Sequence, residues 1–354
     1  MAKILDMKLY KKQILISPKI LKLISELDEF KGSWSSLGQL APDRLTSLKK
    51  IATIESVASS TRIEGVKLSD SEVKALLSGL DINSFKSRDE EEVAGYAEVM
   101  NLIFENYREM SLSENTIKQL HQVLLKFSSK DIRHRGDYKK LNNHVEAFGP
   151  DGKSLGVVFQ TATPFETPLK MEKLCHWLEK SLLETDEHPL LVIAKFILDF
   201  LAIHPFQDGN GRLSRALTTL LLLKVNYEYV PYSSMERVIE ENKDRYYLRL
   251  REAQTESHDS SVQLVKWIEF FLECLVTQKN VLSKKLENEK TLLALPKLSE
   301  QIMIALKEHG KLSVAEIVKL TQANRNTVKV HLSKLVFEKQ IQKEGVGKGT
   351  VYYI

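Results

Sequence analysis

Apolar positions recur at helical spacing through most of the chain. Leu45, Leu48, Ile51, Ile54 and Val57–Ala58 keep a three-to-four-residue rhythm up to Gly65, which suits the left-handed position that stops a helix. Amphipathic or buried helical patterns follow over Glu90–Phe104, Ser113–Phe127, Leu169–Leu183 and Pro189–Ile203. A leucine-rich helix is predicted from Gly211 through Leu223, and another over Val262–Leu275. Asn143–Thr163 breaks the rule. Asp151-Gly152 is a hairpin turn signal flanked by Val145, Phe148 and Val157-Val158-Phe159, so one short β-hairpin is expected inside a helical body. No internal repeat is evident.

The last 58 residues carry a different pattern. Helices are predicted near Ser299–Lys307, at Val314–Leu320 behind the cap Ser313, and near Asn324–Glu338. Gln340–Ile354 reads as two strands around Gly345-Val346-Gly347-Lys348-Gly349. This is a helix-turn-helix with a β-wing, and Arg325, Asn326, Thr327 and Lys329 open its third helix, where a recognition helix faces base edges. Charge separates the same segment. The chain carries a net +4, but residues 297–354 hold ten Lys/Arg against five Asp/Glu, so the positive excess belongs to the tail. Pro296 marks the seam after the charged helical stretch of Lys284, Lys285, Glu287, Glu289 and Lys290. The expected organisation is an N-terminal helical region over 1–110, a core over 111–280, a connector over 281–296 and the winged helix-turn-helix over 297–354.

Composition narrows the class. The chain has 354 residues, 43% hydrophobic and 28% charged, which excludes collagenous and disordered proteins. Cys175 and Cys274 lie far apart without a CxxC partner, which excludes a disulfide framework and a cysteine-rich zinc module. The longest apolar run, Pro189–Ile203, is interrupted by Lys195 and Asp199, so it reads as a buried helix and not a membrane span. The N-terminal segment carries Lys11, Lys12 and Lys19 and no small-residue cleavage site. The expected location is the cytoplasm.

One string concentrates chemistry: His204-Pro205-Phe206-Gln207-Asp208-Gly209-Asn210-Gly211-Arg212-Leu213-Ser214-Arg215. A buried helix stops before Pro205 and another starts near Gly211, leaving a glycine loop whose free N–H groups and helix dipole make an anion site. Arg212 and Arg215 are three apart and share a face of the first turn, where positive charge opposes the dipole unless an anion lies between them. That arrangement points to a polyphosphate. Asp208 offers a hard oxygen for Mg²⁺ beside it, and His204 can serve as a base near neutral pH.

The string resembles the Fic-domain motif HPFx[DE]GNGRxxR, with each defined position met. The resemblance implies a mainly α fold: a helical core with a β-hairpin flap ahead of the motif, followed here by the winged helix-turn-helix. It implies a protein adenylyltransferase that moves AMP from ATP to a Ser, Thr or Tyr hydroxyl of a target protein, releasing pyrophosphate. By the same resemblance His204 deprotonates the hydroxyl, and Asp208 holds Mg²⁺. Gly209, Asn210 and Gly211 line the anion hole, with Arg212 and Arg215 on the phosphates. Gly136-Asp137-Tyr138-Lys139 stands where the family commonly shows Gly-x-aromatic-Arg, with Lys in place of Arg. Tyr246-Tyr247-x-x-Leu250 resembles the segment flanking the nucleoside, so Tyr246 or Tyr247 either contacts adenosine or packs in the core.

Ser60-Thr61-Arg62-Ile63-Glu64-Gly65 matches the inhibitory pattern [ST]xxxE[GN] of many Fic proteins, with Ser60, Glu64 and Gly65 at the defined positions and Glu64 in the last turn of the helix near 45–65. The implied mechanism is competition, in which Glu64 pairs with Arg215 and ATP binds unproductively. Alternatives stay open. The core could be a nucleotide sensor for a winged-helix transcriptional regulator, or Glu64 could position a water for removal of AMP. The partners expected are the target protein, the chain itself by auto-modification, and DNA through 297–354. No membrane partner is expected, and a homodimer is left open.

Overall fold

In the computed structural model, helices α1 (Pro18–Leu37), α2 (Pro42–Ile63), α3 (Asp70–Ser78), α4 (Arg88–Asn106) and α5 (Glu114–Leu124) precede a hairpin of β1 (Val145–Phe148) and β2 (Ser154–Phe159). Then come α6 (Thr167–Glu184), α7 (Pro189–Ile203), α8 (Asn210–Lys224), α9 (Met235–Glu241), α10 (Lys243–Gln254) and α11 (Ser260–Leu293). The structure describes residues 14, 16–37, 42–79, 85–143, 145–148, 154–159, 161–184, 186–254, 260–293 and 295–354. The chain divides into two compact units, Met1–Val281 and Leu282–Ile354.

The first unit is built around α7. Pro189 starts it at a position that needs no N–H donor, and every residue from Leu190 to Ile203 is buried. Each fully buried Leu, Ile or Phe there stabilises the fold by about 1.5–3 kcal/mol. Lys195, which interrupts the apolar run, is neutralised by Glu187 at 2.6 Å. Trp267 of α11 donates its indole N–H to Ala194 O at 2.8 Å, tying α11 to this helix. Helices α6 and α8 pack against α7, and α2 packs against α4, α8 and α9.

Helices α4 and α5 meet at Gly95, where a Cβ would stand 2.0 Å from Leu124 O. Backbone cannot yield there as a flexible side chain could. Gly95→Ala is therefore expected to cost about 1–3 kcal/mol, the range for overpacking, read as a lower denaturant midpoint.

Strands β1 and β2 pair antiparallel, with Val145 opposite Phe159 and Phe148 opposite Ser154. The turn expected at Asp151-Gly152 lies outside the described residues. Helix α2 ends at Ile63, so Glu64 is not in its last turn as expected but one residue beyond. The Glu64 N–H donates to Thr61 O and the Gly65 N–H to Arg62 O, both at 3.1 Å. Gly65 then takes φ 109°, which a Cβ disfavours. Two further bounds differ from expectation. Helix α5 stops at Leu124 and not Phe127, and α11 runs on from Leu275 to Leu293. The latter follows from composition, since Lys, Glu and Leu are good helix formers and no breaker comes before Pro296. Most of the expected connector 281–296 is thus helix. Helices α1, α3, α9 and α10 were not predicted; α10 is so polar along its length that its apolar positions make little pattern.

The second unit contains α12 (Lys297–His309), β3 (Leu312–Ser313), α13 (Val314–Thr321), α14 (Arg325–Phe337), β4 (Gln342–Glu344) and β5 (Val351–Tyr353). Its sheet has the order β3-β5-β4 with antiparallel pairs. Ser313 caps α13 in a reciprocal box with Glu316, and Asn324 caps α14. Ile302, Leu306, Ile317, Val328, Leu332 and Leu335 form the core beneath.

Candidate active site

The loop between α7 and α8 gathers the predicted residues. His204 closes α7 in the left-handed region at φ 53° and ψ 60°, its N–H still donating to Phe200 O at 2.9 Å. Its Nδ1 lies 3.2 Å from Leu201 O. A carbonyl only accepts, so Nδ1 carries the proton and the neutral ring keeps a free lone pair on Nε2. Burial lowers its pKa from 6.5 to about 4. The imidazole is thus a base over the whole physiological range.

Gly209 starts α8 in the left-handed region at φ 79° with no side-chain cap. Asn210 is buried and ties the loop to itself, accepting from Phe206 N–H at 2.9 Å and donating to Phe206 O at 2.7 Å. At Gly211 a Cβ would stand 2.1 Å from Glu64 Oε1 and 3.4 Å from Arg215 Nη1. The Glu64 carboxylate therefore lies directly on the first turn of α8, where unpaired N–H groups and the dipole favour an anion.

Arg215, 4% exposed, donates through Nη2 to Glu64 Oε1 at 2.8 Å and to Ser60 O at 2.9 Å, and through Nε to Ser60 Oγ at 2.9 Å. Burial works against its charge, but Glu64 more than compensates and holds it protonated. The neighbouring Arg62 takes no part in this pairing. Arg62 turns instead to Glu240 and Asp70, at 2.6 and 2.9 Å.

Arg212 takes partners different from those of Arg215. It is 2% exposed and faces Glu92 at 3.0 Å and Asp208 at 3.4 Å, so only Arg215 turns to the Glu64 carboxylate. Arg88 closes the ring, at 2.7 Å from Glu92 and 3.1 Å from Asp208. Burial would raise the Asp208 pKa, but Arg212, the Gly209 N–H and Arg88 outweigh it and keep the carboxyl low. Among the described residues no group of three or more His, Cys, Asp and Glu could hold a metal. Asp208 thus offers an ionised carboxylate, the kind of ligand taken by a Mg²⁺ ion carried mainly by nucleotide phosphates and water.

Tyr246 is buried and packs on Trp267 and Phe270, with ring centroids 6.0 and 6.3 Å away, so it belongs to the core. Tyr247 is 40% exposed. Sequence reasoning missed His121, which stacks on Phe206 at 3.8 Å, accepts from Gly136 N–H at 2.9 Å and donates through Nε2 to Asp208 O at 3.0 Å. It also missed Arg88 and Glu92. Their only signal was a polar position on a helix, which tertiary contact alone distinguishes from a solvated one.

Comparison with known proteins gives this loop a family. The Fic/DOC family model matches residues 111–222, a segment that contains the whole loop. A protein from Drosophila virilis named protein adenylyltransferase Fic is 27% identical over 231 residues, 65% of this chain and 44% of its own length. One of the same name from Drosophila grimshawi is 28% identical over 218 residues, 61% of this chain and 42% of its own. The chain thus spans less than half the length of these curated relatives. Among solved structures, a Fic family protein from Desulfovibrio desulfuricans G20 superposes with a TM-score of 0.62 at 22% identity, covering 97% of this chain and 98% of its own. Fic-1 from C. elegans gives a TM-score of 0.55 at 19% identity over 77% of this chain and 73% of its own. These likenesses identify a mainly helical Fic fold. Among the described residues no helix is long and apolar enough to cross a membrane.

Proposed function

We propose that the protein is a Mg²⁺-dependent adenylyltransferase that moves AMP from ATP to a Ser, Thr or Tyr hydroxyl of a protein, itself included, and that Glu64 holds it in check. The observation that carries this reading is the carboxylate of Glu64 lying on the first turn of α8 and against Arg215, an internal anion where a phosphate would bind. The curated relatives named protein adenylyltransferase support the reaction class.

The chemistry follows from the groups present. The target hydroxyl passes its proton to His204 Nε2 while its oxygen attacks the α-phosphorus. The bond from that phosphorus to the bridging oxygen breaks, and pyrophosphate leaves with the electron pair. Asn210 and Gly211 supply N–H groups of the first turn of α8 to the phosphates, Gly209 N–H being held on Asp208 Oδ1, and Arg215, once freed from Glu64, balances their charge. Arg212 acts from one remove, holding Asp208 and Glu92. Asp208 would hold the Mg²⁺, which neutralises phosphate charge. The β1–β2 hairpin is the flap against which the target segment lies. Intact-mass analysis of Glu64→Gly after incubation with ATP and Mg²⁺ tests the reading: a gain of one AMP supports it, and an unchanged mass sinks it.

The second unit favours a further reading, that it binds DNA. Arg325, Asn326, Thr327 and Lys329 are all exposed along the start of α14. The full chain is expected to retard duplex DNA with an affinity that falls as salt rises, because phosphate contacts release counterions. Lys329→Glu should weaken that shift. No retardation at low salt removes the idea.

A further inference from the structure

We propose that Lys139 and Asn143 are positioning residues that couple the two feet of the β-hairpin to the base His204. The proposal rests on the adenylyltransferase reading only for His204's task, not for the coupling itself. Lys139 is buried, and its Nζ donates to Asn143 Oδ1 at 2.7 Å, Thr161 Oγ1 at 2.9 Å and Ile203 O at 3.0 Å. Burial draws its pKa down to about 7, yet three oxygens match the three N–H donors of an ammonium, so the cage suits the charged form.

The cage reaches His204 from both sides. Ile203 is the last residue of α7, and its carbonyl, like any at a helix C-terminus, lacks an intrahelical partner; Lys139 supplies one. The Lys139 backbone N–H donates to Pro205 O at 2.8 Å. Asn143 Nδ2 donates to Phe206 O at 2.6 Å and reaches His204 O at 3.4 Å. Carbonyls 203 to 206 are therefore all held from the segment 139–143. His204 itself keeps a left-handed backbone that a residue with a Cβ adopts only where its surroundings impose it.

Asn143 stands two residues before β1 and Thr161 two residues after β2. The Thr161 hydroxyl donates to Asn143 O at 2.8 Å, which locks the feet to each other. A shift of the hairpin moves both feet, and Lys139 passes that shift to the loop bearing His204. A segment docked on the hairpin would thereby set the base. Lysine suits the role because its compact tetrahedral head meets three oxygens converging from three segments, where a planar guanidinium fits two in a plane.

The test uses the full chain carrying Glu64→Gly, with Lys139→Met, Lys139→Arg or Asn143→Asp added. Single-turnover AMP incorporation is followed against ATP concentration. Lys139→Met and Asn143→Asp are expected to lower the maximal rate about 100-fold, the effect of a displacement near 1 Å, while the half-saturating ATP concentration stays put. Lys139→Arg, which keeps the charge, should recover part of that rate. A second readout is independent of transfer: carbethoxylation of His204 by diethyl pyrocarbonate, followed by peptide mass, should run faster in Lys139→Met and Asn143→Asp. Should Lys139→Met fail to fold, Asn143→Asp decides by both readouts. Unchanged His204 reactivity overturns the proposal, as does a loss of rate matched by loss of ATP binding. A Glu64→Gly parent that transfers no AMP sinks the adenylyltransferase reading, and His204 reactivity still decides this one.

Discussion

Replacing Glu64 by glycine is expected to raise AMP incorporation about 5- to 150-fold, the range of a coupling worth about 1–3 kcal/mol. On the proposed reading, Glu64 opposes the reaction twice. It engages Arg215 at 2.8 Å, and its carboxylate covers Gly211, so a triphosphate meets both a like charge and an occupied site. Removing it leaves Arg215 in place, because Ser60 still accepts from Nε and Nη2. The arginine is then oriented but unneutralised, which is the state a phosphate needs. Glu64→Gln keeps the bulk and loses the charge, so it should fall between the two. Incorporation from α-labelled ATP measures the effect, and equal labelling of wild type and Glu64→Gly excludes the brake.

His204→Ala in the Glu64→Gly background is expected to lose about 10²- to 10⁴-fold in transfer rate, the contribution of a positioned general base. Nucleotide binding should persist, since Arg215 and the first turn of α8 are untouched. The pH profile carries the second signature. Burial lowers the His204 pKa to about 4, so the base stays neutral as pH falls below 6.5. Activity should therefore decline only as pH approaches that lower value. The same shift affects stability with a definite sign. Between about 4 and 6.5 the unfolded chain binds a proton at His204 that the native state refuses, so stability rises with pH across that window. His204→Ala should flatten this slope. An acid limb centred at 6.5 would show that the ring is solvated and not held as described.

Much of the site was legible because its residues are contiguous. The string from His204 to Arg215 places base, carboxylate, glycines and arginines on one loop and one helical turn, so local stereochemistry alone brings them together. The helix of Ser60–Gly65 was legible for the same reason, although its end fell one residue early. What the string could not disclose was the direction of each side chain. Arg212 and Arg215 lie on one face by spacing, but Glu92 of α4 draws the first away and Glu64 takes the second. His121, Arg88 and Lys139 act across 87, 120 and 64 positions of sequence.

By itself, then, the sequence determined the elements and the chemistry that neighbours in the chain can make: buried α7, the glycine loop, the first turn of α8, and a tail with its own charge and helices. Periodicity, capping and glycine conformation act over a few residues, and a linear reading contains them. Only the tertiary structure decided that the carboxylate of Glu64 lies on Gly211, that two other guanidiniums neutralise Asp208, and that a buried lysine ties the hairpin's feet to the His204 backbone. Those are contacts between distant segments. Burial makes them energetically decisive, because a charge removed from water must find its partner wherever the fold has brought one.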